Sequence, residues 1–240
     1  MHFANAYIDA ILESLTTDEE ISLTAGVGFR HTHQIERLGV PAIKVSDRPS
    51  GIRGNYFFMG TPAKCLPSAT ALAATWDTKS MEEVGLKLLA PEAKLRAASV
   101  VLAPTSNIQS SFESFSEDPF LSGLLAASYV KSVQSGGIVQ MTRRTTDKPT
   151  TILSTPVPSS FYSYHNDCQS APLPILGYNR VNGTYVSEGP FLLMKLLRDE
   201  WVYKGLVMSD WLGIYRVDLS VEAGLDLEMP ETTSGRRWTS

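Results

Sequence analysis

The chain has 240 residues, of which 43% are hydrophobic and 19% charged, a composition that suits a globular domain with a sizeable core and excludes intrinsic disorder. Its formal net charge is -4, and no basic run exceeds Arg143-Arg144 or Arg236-Arg237, which argues against a nucleic-acid partner. No apolar run approaches the length of a membrane span, so a membrane partner is not expected either.

At the start, Ala4, Ile8, Ile11, Leu12 and Leu15 recur at helical spacing, with Asp9 and Glu13 between them. This is an amphipathic helix rather than the basic start and apolar block of a secretion signal, so a cytoplasmic location is the default expectation, with secretion the alternative if the gene's start is misassigned. Thr17-Asp18-Glu19-Glu20 reads as a capping box opening a second helix, with Gly26 as its stop. Ile43-Lys44-Val45-Ser46-Asp47 reads as a strand ending in an acid. Asp77 can cap a helix from about Lys79 that carries Met81, Val84 and Leu88 on one side, and Pro91 should kink or end it.

Ser99 to Ala103 is the next expected strand, closed by Pro104. Phe120, Leu121, Leu124, Ala127 and Val130 mark a helix face. Ser187 can cap a further helix carrying Leu192, Leu193, Leu196 and Leu197, which leads into a buried strand from Leu206 to Met208. The alternation of helix and strand argues for an α/β fold with a parallel sheet, and strand, carboxyl-end loop, helix is the unit of a (β/α) barrel. From about Gln140 to Leu176 that rhythm fails. The stretch is rich in Thr, Pro and Ser and offers no strand apart from Thr151-Ile152-Leu153, so it reads as an inserted lid or as sequence foreign to the fold.

Cys65 and Cys168 lie far apart and make neither a disulfide framework nor a zinc site, and the four histidines show no metal spacing. Asn182-Gly183-Thr184 matches a glycosylation acceptor, which matters only in a secreted chain.

The chemistry is concentrated in Gly205-Leu206-Val207-Met208-Ser209-Asp210-Trp211 and Gly224-Leu225-Asp226-Leu227-Glu228-Met229-Pro230. A carboxylate at the carboxyl end of a parallel strand is where α/β folds place their active groups, and an indole face can hold a sugar ring. A strand-end Asp can also be a helix N-cap or a loop former.

Several stretches, taken in order, resemble glycoside hydrolase family 3, the β-glucosidase family, and its fungal members in particular. Ser46-Asp47-Arg48-Pro49-Ser50-Gly51-Ile52-Arg53-Gly54 is similar to that family's Asp-Gly-Pro-x-Gly-x-Arg segment. Leu66 to Asp77, Leu102 to Ile108, Phe112 to Pro119, Ser209-Asp210-Trp211 and Gly224 to Pro230 carry the rest, covering roughly residues 10–138 and 177–238.

The resemblance implies a (β/α)8 TIM-barrel-like domain over residues 1–240, truncated and interrupted at about 140–176, with the family's C-terminal α/β sandwich domain absent. It implies Asp210 as the nucleophile of a retaining glycosidase, which attacks the anomeric carbon and holds the sugar as an ester. Asp47 would accept hydrogen bonds from sugar hydroxyls; without the family it reads as a cap in its loop. Tyr178 and Trp211 would line the sugar pocket, against the reading of each as a core residue. The acid/base glutamate is expected outside this chain, and no metal or organic cofactor is implied. The expected partner is a small β-glucoside or oligosaccharide, and the expected reaction is retaining hydrolysis of terminal β-D-glucosyl residues in carbohydrate catabolism.

The pattern departs from the family in places. Between Ile108-Gln109 and Phe112 only Ser110-Ser111 stand where the family carries an Arg-x-Pro-Leu-Gly-Gly-Arg-like loop, so its sugar-binding arginine has no counterpart. The family's Lys-His pair cannot be placed on Val139 to Arg144. Arg48 replaces a family Gly beside Asp47 and could pair with that acid or point to solvent. These departures support an alternative expectation, a catalytically inactive carbohydrate-binding fragment or pseudoenzyme from a misread gene. Strands between Val139 and Tyr178 would then be missing, and the barrel would not close.

Overall fold

In the computed structural model the described residues are 8–47, 50–53, 60, 62–105, 114–144, 173–178 and 180–231. Helices α1 (Ile8–Ser14) and α2 (Thr17–Leu23) come first. Ile8 and Leu12 are exposed, and only Ile11 and Leu15 of the first apolar stripe are half-buried; Ala4 lies outside the described residues. The α2 cap is Thr16, one residue earlier than expected: its hydroxyl accepts from the Glu19 N–H, and the Glu19 carboxylate accepts from the Thr16 N–H at 2.9 Å. The box requires its Glu at the third helical position, and counting back from Glu19 gives Thr16. Arg37 ties the two helices together, donating to Glu19 and to the Ser14 carbonyl at 2.7 Å each. Gly26 is not the helix stop; it begins β1 (Gly26–Val27), which pairs antiparallel with β2 (His31–Thr32).

The centre of the fold is a five-stranded sheet in the order β3 (Val45–Asp47), β4 (Val100–Thr105), β5 (Val139–Arg144), β6 (Leu173–Leu176) and, beyond β7 (Arg180–Val181) and β8 (Thr184–Tyr185), β9 (Met208–Ser209). Every pairing in it is parallel, so all its strands end on one edge. β7 and β8 form a separate antiparallel hairpin. Strand β4 does not stop at Pro104. It runs on to Thr105 across a register shift, the kind of place where a residue without an N–H is tolerated. β5 and β6 fall within the stretch expected to lack strands, and they pair with each other from Met141↔Leu173 to Arg144↔Leu176. Parallel pairing joins segments far apart in sequence, so the composition of either segment alone does not reveal it. Thr151-Ile152-Leu153 lies outside the described residues.

Beyond β9, single-residue bridges link Met208 to Leu227, Glu228 to Ala25, and His31 to Lys44. They are isolated bridges and not strands, and the described residues form a mixed α/β sheet without a closed barrel.

Helices cover one face of this sheet. α3 (Ala69–Ala73), α4 (Thr78–Glu83), a π-helical segment (Val84–Leu89) and α5 (Ala90–Leu95) pack with α6 (Pro119–Ser135) over Val101, Ala103 and Ile138. Asp77 caps α4 as expected, accepting from the Lys79 and Ser80 N–H groups at 3.0 and 3.2 Å. Pro91 does not break the run. The π-helical segment ends with Ala90 N–H bonded to the Gly85 carbonyl, and Pro91 falls in the first turn of α5, where a missing N–H is harmless.

The buried face of α6 is Leu125, Ala126, Tyr129, Val130 and Val133, while Phe120 and Leu124 of the expected face are 58% and 43% exposed. The packing partner decides this rotation. A Cβ on Gly85 would stand 2.0 Å from the Ser132 hydroxyl, so the π-helical segment meets α6 at a side-chain-free point along the 129–133 stripe. A second group packs with Leu176 and Val207 through Leu193 and Leu197 of α7 (Phe191–Glu200, π-helical throughout) and through Ala223, the C-cap of α8 (Val217–Glu222). Ser187 caps no helix; its hydroxyl donates to the Gly213 carbonyl at 2.9 Å. No described helix is long and apolar enough to cross a membrane.

The opposite face carries a smaller cluster: Val45, Val100, Leu102, Met208, Leu227 and Met229, with Trp211 packed against it. No described helix contributes to it.

Candidate active site at the carboxyl edge of the sheet

Side chains alternate along a strand, so residues two apart share a face. Val45 and Met208 both belong to the inner, helix-free cluster. Asp47 follows Val45 by two residues in β3, and Asp210 follows Met208 by two, its N–H extending the ladder to the Leu176 carbonyl at 2.9 Å. Both carboxylates are therefore on the inner face, at the carboxyl ends of parallel strands, above side chains that pack together.

Asp210 is only 6% exposed. Its Oδ1 accepts from the Trp211 N–H at 2.8 Å, and its carbonyl accepts from the Gly213 N–H at 2.9 Å. It shapes this turn but caps no helix, because the following helix α8 starts at Val217 with Arg216 in the cap position. Ser209 beside it is locked to the next inner segment: its N–H donates to the Leu227 carbonyl at 2.9 Å, and its hydroxyl accepts from the Met229 N–H at 2.9 Å. The Gly224 to Pro230 motif is thus the neighbour that fixes the strand carrying Asp210.

Trp211 is half-buried. Its indole packs on the inner cluster, lies 6.2 Å from the Phe29 ring centroid, and donates from Nε1 to the Phe29 carbonyl at 3.0 Å. It is at once part of the core and part of the site rim. Tyr178, just past the end of β6, is 41% exposed, and its hydroxyl donates to the Trp211 carbonyl at 2.8 Å. It is not a core tyrosine; it stands on the same edge and braces the Asp210-Trp211 turn. The structure therefore brings Asp210, Trp211 and Tyr178 together by hydrogen bonds and sets Asp47 on the same face and edge.

The loop after Asp47 is anchored from the helix side. Glu92 in α5 is buried, and its carboxylate accepts from the Ile52 N–H at 3.4 Å and the Lys64 N–H at 2.7 Å. A buried carboxylate holding two backbone N–H groups clamps the segments that flank the Asp47 loop. The Ser46 hydroxyl adds a bond to the Arg53 carbonyl at 3.3 Å. Arg48 lies outside the described residues, as do Ile108, Gln109, Ser110, Ser111, Phe112 and the stretch 145–172.

Two neighbours of the site were not visible in the sequence. Phe29 and Arg30 occupy the turn between β1 and β2. Arg30 is buried; burial pushes its guanidinium below the ordinary value, the Asp47 carboxylate opposes that, and Arg53 adds to it. Nothing in the surrounding residue pattern distinguishes this arginine from a solvated one. Among the described residues no group of three or more His, Cys, Asp or Glu could hold a metal ion.

A parallel α/β sheet with two acids, an indole and a phenol at its carboxyl edge defines an α/β protein with a carboxylate-based, aromatic-walled site. Known proteins with this architecture give the family. No protein-family model matches the chain. Probable β-glucosidase I of Neosartorya fischeri is 42% identical over 250 aligned positions, covering 96% of this chain and 29% of the relative. Probable β-glucosidase J of the same species is 43% identical, covering 95% and 28%.

Among solved structures, the β-glucosidase of Kluyveromyces marxianus in complex with glucose superposes with a TM-score of 0.86 at 38% identity, covering 96% of this chain and 30% of that one. β-Glucosidase 3B of Thermotoga neapolitana in complex with α-D-glucose gives 0.83 at 29% identity, covering 97% and 38%. The chain is a homologue of part of the glycoside hydrolase family 3 β-glucosidases. It spans about three tenths of the length of the curated relatives it matches.

Proposed function

We propose that the chain carries the nucleophile and part of the sugar-binding wall of a retaining β-glucosidase, on a segment of a (β/α)8-type barrel. The observation that carries this is the placement of Asp47 and Asp210 two residues beyond Val45 and Met208, which pack in one cluster. In the reaction the Asp210 carboxylate attacks the anomeric carbon of a terminal β-D-glucosyl residue. The bond to the leaving oxygen breaks, and an acid/base group outside these residues protonates it. Water then attacks the glycosyl ester, that same group takes the water's proton, and glucose leaves with retained configuration. Trp211 and Tyr178 flank the ring, and Asp47 accepts from its hydroxyls. No cofactor enters the scheme.

A mechanism-based 2-fluoroglucoside tests the assignment on this chain joined to the remaining length of a relative. The label should sit on Asp210 by peptide mass spectrometry, and labelling that persists in Asp210→Asn overturns the reading. Coverage of about three tenths of each relative favours a second reading for these residues taken alone, sugar binding without turnover. Calorimetric titration of the 240-residue chain with glucose, beside a hydrolysis assay, separates the two readings.

A further inference from the structure

Arg30 is 4% exposed, and its Nη1 has no hydrogen-bond partner among the described residues. A buried guanidinium with an unused N–H is unfavourable unless something else comes to meet it. Its place in the fold shows where that meeting occurs. The Val45 N–H donates to the Arg30 carbonyl at 2.8 Å, and His31 bridges Lys44 antiparallel. Arg30 therefore stands directly across from Val45, and residues opposite one another in an antiparallel pair share a face.

That face is the inner one, which carries Val45, Asp47, Met208 and Asp210. Asp47 is the diagonal neighbour of Arg30, at a backbone separation of about 7–8 Å that a long side chain spans. The Asp47 charge acts on the guanidinium, yet no ion pair within contact distance forms between the two. Phe29, whose ring lies 5.5 Å from the guanidinium carbon, joins Arg30 to the Trp211 wall through its carbonyl.

We propose that Arg30 is a further sugar-binding residue, donating from Nη1 to a ring hydroxyl of a β-glucoside held against Asp47. The proposal rests on the β-glucosidase reading above. Asp47 accepts and Arg30 donates, so together they satisfy both sides of neighbouring sugar hydroxyls.

The test is calorimetric titration of the full chain and of Arg30→Met and Arg30→Lys with glucose and with its 2-, 3-, 4- and 6-deoxy forms. Arg30→Met should weaken glucose binding on the order of 10–100-fold, the usual effect of losing one charged hydrogen bond. For the deoxy sugar that lacks the contacted hydroxyl, wild type and Arg30→Met should bind alike. Arg30→Lys keeps a donor and should recover part of the loss with the same pattern across the sugars.

Methionine fills similar volume without a buried charge, so the melting temperature should hold or rise. If Arg30→Met does not fold, the same comparison is made with Arg30→Lys. Equal glucose affinity in wild type and variant overturns the Arg30 assignment and leaves the β-glucosidase reading intact. A uniform loss across every sugar also overturns it, because that marks a structural role. A wild-type chain that binds none of these sugars overturns the β-glucosidase reading, and this proposal with it.

Discussion

The two faces of the sheet are built for different work. On the helix-covered face, Val101 and Ala103 join α3 to α6 in a continuous apolar mass that includes a fully buried Tyr129. On the other face, Val100 and Leu102 of the same strand join a small cluster with Val45, Met208, Leu227, Met229 and Trp211 among the described residues. Above that small floor stand Asp47, Asp210 and Arg30, groups that a helix-covered face could not hold without pairing every polar atom. One face supplies cohesion, and the other trades apolar contact for a polar floor on which a ligand can sit.

The sharpest way to break this contrast is at the polar floor. On the proposed reading, Asp210→Asn in this chain joined to the remaining length of a relative should lower turnover on the order of 10⁴-fold or more, since no ester can form, while glucose affinity changes far less; steady-state kinetics beside titration will show it. Met208→Ala tests the floor itself. It removes a fully buried side chain and should cost about 2–5 kcal/mol in denaturant unfolding, and a smaller cost would mean that the inner cluster carries little of the stability.

Gly85→Ala probes the other face. Its Cβ would meet the Ser132 hydroxyl at 2.0 Å and Val133 Cγ2 at 2.9 Å, so the cost should be about 1–3 kcal/mol, with sugar binding unchanged.

The smallest effect lies outside both faces. Hydrogen bonds from Arg37 and from the Thr16 backbone hold the Glu19 carboxyl down at about 2. A depressed folded-state pKa gives a contribution present above the unfolded value near 4.5 and lost as pH falls toward 2. Melting temperatures of wild type and Arg37→Met should thus differ slightly at pH 6 and converge as pH is lowered through that window. Because Glu19 sits at the surface, salt should shrink the difference.

Signals in the sequence carry over to the structure where the physics is local. Asp77 caps α4 as its position predicts, because a short acid before a helix satisfies the first free N–H groups whatever lies around it. The apolar run Leu206-Val207-Met208 points to Asp210 at a strand end, although the strand is Met208–Ser209 rather than Leu206 to Met208, and Leu206 is exposed rather than buried. Where two outcomes are locally equivalent, reading failed. The apolar residues of α6 permit two adjacent stripes, and Gly85 on a neighbouring segment chose between them. Pro91 looked like a stop until the π-helical segment before it absorbed the missing bond.

By itself the chain determined the start of α4, its α/β class, and the two acids at the carboxyl ends of β3 and β9, since each depends on near neighbours in sequence. Tertiary structure decided the rest. The pairing of β5 with β6 joins segments separated by a long intervening stretch, and no composition predicts which strand will sit beside which. The inner position of Arg30 exists only because a hairpin lays it across from Val45, and the Glu92 clamp exists only because α5 passes beside the Asp47 loop. Burial turns these two residues from ordinary surface charges into groups held on either side of the Asp47 strand and its loop, and burial is a property of the assembled fold.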